Sequence, residues 1–162
     1  MASLLEIDLD SLVPDTVPGM DLYILQDSNY QLYRKGNVPF TDSVRTRLLE
    51  SQCDRIYIDI SDKRNYWNYI GINIPRIISD PNIPIEKKCS YAYQAATHSL
   101  EQLFEDPRSG EQIRQSKQLI SHSVGLIIDQ QVAMRHLLAV MSTDYYTFSH
   151  SVNVTLFGVA LA

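Results

Sequence analysis

Four histidines, His98, His122, His136 and His150, are the side chains of this chain best suited to bind a transition metal. His122, His136 and His150 follow one another at intervals of fourteen residues. Along a straight helix each interval is about 21 Å. Ligands to one ion must all lie about 2 Å from it, so these three cannot share a metal within a single helix. His98, His122 and His136 read as surface or interface residues. His150 differs in its surroundings: the run Asp144-Tyr-Tyr-Thr-Phe-Ser-His-Ser-Val-Asn-Val154 sets it on an apolar helix with Asn153 three residues on. Neither cysteine pairs or ligates with the other: Cys53 and Cys89 are far apart in sequence, and a reducing compartment is the default for such a chain. A Gly-rich phosphate loop, a Ser/His/Asp arrangement and a catalytic pair of carboxylates are all missing from the sequence.

The elements that must position these residues fall into an α+β pattern. A small β-sheet and helix unit comes first, and long helices forming a helical bundle or coiled coil follow it. Leu4 to Leu9 alternates as a strand. Asp21–Leu25 and Tyr30–Tyr33 flank the turn-prone Gln26-Asp-Ser-Asn29, which predicts a hairpin. Thr41 is an N-cap for a helix over Asp42–Ser51 with a buried stripe of Val44, Leu48 and Leu49. Arg55–Ile60 has the β-branched density of another strand. From Lys63 the chain reads as helical, with Pro75 kinking or interrupting the first segment. Pro84 opens a helix over Ile85–Glu105 whose seam, Ile85, Cys89, Ala92, Ala96, Ser99 and Leu103, is small enough for close approach by a neighbour.

The longest helix is expected over Glu111–Met141, about 45 Å if unbroken. Ile113, Ile120, Ile127, Met134 and Met141 recur every seven residues and make a candidate dimerisation seam. After Lys117 the only other charged side chains, histidines aside, are Asp129, Arg135 and Asp144, and 152–162 has none. An all-apolar helix belongs inside a larger body. The expectation is a fragment divided into a small α+β unit (1–62), a helical regulatory and dimerisation region (63–142) and the start of a further domain (143–162).

Composition narrows the function classes. A net charge of −5 over 162 residues argues against nucleic acid or an anionic membrane as the main partner. No apolar run reaches the roughly 20 residues of a membrane helix, and the acidic N-terminus is unlike a signal peptide. The chain therefore reads as cytoplasmic. Tyr66-Trp67-Asn68-Tyr69, with Tyr91 and Tyr93, suits either a small-molecule pocket or a core. Arg34-Lys35 and Lys63-Arg64 suit either phosphate contacts or solvated loops.

The stretch 144–154, with His150, resembles the opening helix of the HD-GYP domain, a bacterial subclass of the HD phosphohydrolases that hydrolyse cyclic di-GMP. Upstream, Leu32-Tyr-Arg-Lys-Gly36, the strand around Ile56-Tyr-Ile58 and Ile83-Pro-Ile-Glu-Lys-Lys88 resemble a module often found before such domains. Together the two resemblances cover nearly the whole chain. They imply a parent enzyme in which a metal-generated hydroxide attacks a phosphodiester, with His150 one ligand of a cluster of two or three iron or manganese ions. Some members add a glutamate one turn earlier. Tyr146 stands at that position here, which implies two metals. The further histidines, the His-Asp doublet and the Gly-Tyr-Pro signature are not in this sequence. The expected role is thus an inactive regulatory and dimerising region whose partners are a second copy and the rest of the HD-GYP domain. A nucleotide- or small-molecule-sensing module and a structural scaffold are the alternatives.

Overall fold

The computed structural model describes residues 3–129, 132–141 and 147–160. Among these are four strands and six α-helices, the α+β class that the sequence predicts. Two compact units form, residues 1–69 and 70–162.

The first unit is built on an antiparallel sheet of order β1-β4-β2-β3, with β1 at Leu4–Asp8, β2 at Leu22–Gln26, β3 at Asn29–Arg34 and β4 at Arg55–Asp59. The expected hairpin is β2–β3. Its two linking residues, Asp27 and Ser28, both take positive φ (49° and 64°), the twist a two-residue hairpin loop requires. One face of the sheet buries Ile7, Leu22, Ile56 and Ile58. Around them close Leu12, Met20, Phe40 and, from helix α1 (Asp42–Glu50), Val44 and Leu48. Leu49, expected in that stripe, is 54% exposed, because its neighbour Leu48 takes the inward position. Thr41 occupies the N-cap of α1 with extended backbone, but its hydroxyl pairs with Ser43 Oγ (2.9 Å) rather than capping.

A connection behind the hairpin ties down the resemblance-bearing segment Leu32–Gly36. Asp21 accepts from Lys35 Nζ (2.7 Å) and from the Gly36 amide (2.8 Å), and the Gly36 carbonyl accepts from Gly19 N–H (2.9 Å). The ammonium of Lys35, then the Gly36 amide, hold the Asp21 carboxyl below its ordinary pKa. A carboxyl depressed on folding stabilises above its unfolded pKa of about 3.9, and that contribution is lost as pH falls through the lower folded value. Asp21→Asn is therefore expected to flatten the acid limb of the stability curve below about pH 4. Urea titrations at pH 3 to 7 check this; an unchanged acid limb counts against the network.

Helix α2 (Lys63–Ser79) runs through Pro75 without ending, whose ring is exposed. In the first unit it contributes Tyr66 and Tyr69. The Tyr69 hydroxyl accepts from Val13 N–H (2.8 Å) and pairs with Thr16 Oγ1 (2.7 Å). In the second unit it contributes buried Ile70, Ile74 and Ile77. Helix α3 (Ile85–Glu105) has the predicted bounds. The single helix expected over 111–141 is instead two: α4 (Gly110–Asp129) and α5 (Ala133–Met141), both packed on α3. An unbroken helix of about 45 Å would overrun α3, which spans only about 31 Å. Helix α6 (Thr147–Ala160) also packs on α3, completing a helical bundle.

The stripe that the bundle itself buries runs beside the seven-residue repeat. Leu119, Leu126 and Ala133 are buried, each one residue before Ile120, Ile127 and Met134. That is a shift of about 100° around the helix. Ile113, Ile120 and Met134 are only partly covered, Met141 is buried, and the side chain of Ile127 lies outside the described residues. Small residues meet between α3 and α4, where Ser99 Oγ lies 2.8 Å from Ser116 Oγ.

Candidate functional site

Helix α6 presents His150 to solvent and turns Val152 inward. Its side chains sort in this way because Val152 enters the cluster of Cys89, Tyr93, Ala96, Leu126, Ala133, Leu137 and Met141. A hydrogen bond helps to set the rotation of α6 about its axis: the Tyr93 hydroxyl donates to Asn153 Oδ1 at 2.9 Å. Tyr93 is 2% exposed, so this bond joins the core of α3 to a residue one turn from His150. Tyr93 stands out in the sequence among the aromatics and Asn153 beside His150, but nothing in their separation of sixty positions signals that they meet.

Beneath α6 lies a cleft lined by Tyr93, Ala96, Leu100, Leu137, Val152 and Thr155, among others. The room open to the centre of a water-sized sphere is about 20 Å³, enough for one or two water molecules and far short of a nucleotide. Its lining is almost wholly apolar.

The other histidines stand apart from this helix. His98 Nδ1 lies 3.3 Å from Glu101, His136 Nε2 lies 3.3 Å from Glu86, and His122 is exposed. Among the described residues no three His, Cys, Asp or Glu side chains come together as metal ligands. His150 supplies one donor where a metal centre needs several, so the described residues do not themselves make up such a centre. Asp144 and Tyr146 lie outside the described residues.

Tyr66, Tyr69 and Tyr91 are buried in the core, and Tyr93, equally buried, also lines the cleft beneath α6. Arg34 is spent on the carbonyl of Pro39 (Nε at 2.9 Å), and Lys35 on Asp21. Burial pushes the Cys89 thiol up to about 12 and raises Cys53 as well, so neither is a primed nucleophile. Among the described residues no helix is long and apolar enough to cross a membrane.

No family model and no curated protein matches the chain. A solved structure does: Bd1817, a HDG"Y"P protein from Bdellovibrio bacteriovorus, is similar with a TM-score of 0.56 and 21% sequence identity. The likeness covers 99% of this chain and 53% of that one. The chain shares that fold. It spans about half the length of Bd1817, with α6 the last element of the shared part.

Proposed function

We propose that this chain is the N-terminal regulatory and dimerising region of an HD-GYP-type cyclic di-GMP phosphodiesterase of the cytoplasm, and that it hydrolyses nothing by itself. The observation carrying this reading is that nearly all of the chain shares the fold of half of a HDG"Y"P protein, while its one motif histidine faces solvent on α6. Residues 143–162 are the opening of the catalytic domain in this reading, and His150 supplies one imidazole to two divalent ions, iron or manganese, bound mainly by the rest of an HD-GYP domain. Tyr93 holds the helix that bears it. Dimerisation runs through the stripe of Ile113, Ile120 and Met134, which the bundle leaves partly uncovered.

Joining this chain to the part of Bd1817 that the likeness does not cover tests the role of His150. Hydrolysis of cyclic di-GMP by the fusion with manganese supplied is expected to fall roughly 100-fold or more in His150→Ala, as loss of a metal ligand demands. Undiminished turnover in His150→Ala removes His150 from the site. Light scattering at tens of micromolar is expected to report a dimer of the isolated chain, and a monomer there counts against the dimerising stripe.

A further inference from the structure

The sheet of the first unit has a second face that the described residues of that unit leave largely open. Strand pairing sets Glu6 opposite Tyr57, Tyr57 opposite Tyr23, Tyr23 opposite Leu32 and Leu25 opposite Tyr30. Directly paired residues share a face, so all of these point away from buried Ile7, Leu22, Ile56 and Ile58. Leu25, Tyr30 and Leu32 are 49%, 52% and 46% exposed, and the Tyr30 ring stands edge-on to Tyr57 at 4.8 Å. Single exposed apolar residues are ordinary, but a contiguous group of this kind marks an interaction surface. The patch spans β3, β2 and β4, roughly 10 Å, about the diameter of one helix.

Its border on the β1 side is acidic. Glu6, Asp8 and Asp59 lie there on the same face as Arg55, which bonds Glu6 (2.6 Å) and Asp8 (3.4 Å). The acids outnumber the base, and the whole chain carries −5. We infer that this face docks a basic amphipathic helix of a partner protein. Its apolar stripe covers Tyr23, Leu25, Tyr30, Leu32 and Tyr57, and its lysines and arginines turn toward Glu6, Asp8 and Asp59. Cations at the edge of the stripe also gain from the faces of Tyr30 and Tyr57. Charge decides the occupant: a second copy, a nucleic acid or an anionic bilayer brings further negative charge to this border.

The probe is a fluorescein-labelled helical peptide of about 18 residues, leucine on one face and lysine on the other, titrated against the full chain by fluorescence anisotropy. Saturable binding is expected, weakened roughly tenfold by Leu25→Ser with Leu32→Ser, and about threefold by Glu6→Gln. It is expected to weaken with added salt. Circular dichroism establishes that each variant is folded. A scrambled peptide of the same composition is expected to bind roughly tenfold less well. Absence of saturable binding, equal binding of the scrambled peptide, or wild-type affinity in the folded double variant overturns the proposal. So does a dimer that Leu25→Ser with Leu32→Ser dissolves, since that places a second copy on the face.

Discussion

Gly36→Ala is expected to cost the protein about 3 kcal/mol of stability, the upper range for forcing an extra methyl into a packed site. A Cβ on Gly36 would stand 2.5 Å from the carbonyl carbon of Met20 and 2.7 Å from its Cα. These are main-chain atoms of a residue only 2% exposed, and they cannot swing aside as a side-chain tip would. Any shift that relieves the clash also pulls the Gly36 amide from Asp21 and its carbonyl from Gly19. Gly19→Ala is the informative control. Nothing lies within 4 Å of a Cβ there, but its φ of +77° is costly for an L-residue, so a loss of about 1 kcal/mol is expected. Urea unfolding of both variants checks the pair. A Gly36→Ala midpoint equal to that of wild type, or milder than that of Gly19→Ala, contradicts the close approach of the two segments.

Tyr93→Ala is expected to cost about 4 kcal/mol, the range for emptying a large aromatic from a core. Tyr93→Phe, which keeps the ring and removes only the hydroxyl, is expected to cost about 1 kcal/mol. The gap separates packing among Cys89, Ala96, Leu137 and Val152 from the hydrogen bond to Asn153. The smaller substitution says more about the site. With the Asn153 bond gone, α6 loses one of its ties to the core, Val152 being another among its described side chains, so amide exchange in that helix should quicken while the sheet of the first unit keeps its protection. Unchanged exchange in α6 of Tyr93→Phe means that the bond does not hold the helix bearing His150.

The parts of the fold readable in advance were those where one pattern had no rival. Alternation along Leu4–Asp8 and Arg55–Asp59, the turn-prone Asp27-Ser28, and helix α3 between Pro84 and Pro107 each offer a single arrangement. The long apolar repeat did not. Leu119 adjoins Ile120, Leu126 adjoins Ile127, Ala133 adjoins Met134 and Val140 adjoins Met141, so two seven-residue stripes run side by side. Which of them turns inward depends on the neighbour, and the small residues of α3 favour the stripe that includes Ser116 and Ser123. Leu48 and Leu49 on α1 pose the same ambiguity on a smaller scale. For the site, the helix bearing His150 was legible from its motif. The Tyr93–Asn153 bond was not, because it is made by tertiary packing and has no local spacing.

Packing around α6 leaves a small apolar hollow beneath it. Internal space of that kind is eliminated when the bundle opens, which lowers the total volume of the system. Hydrostatic compression therefore drives the helices of the second unit apart, an influence distinct from heat or urea that acts beside the histidine-bearing helix.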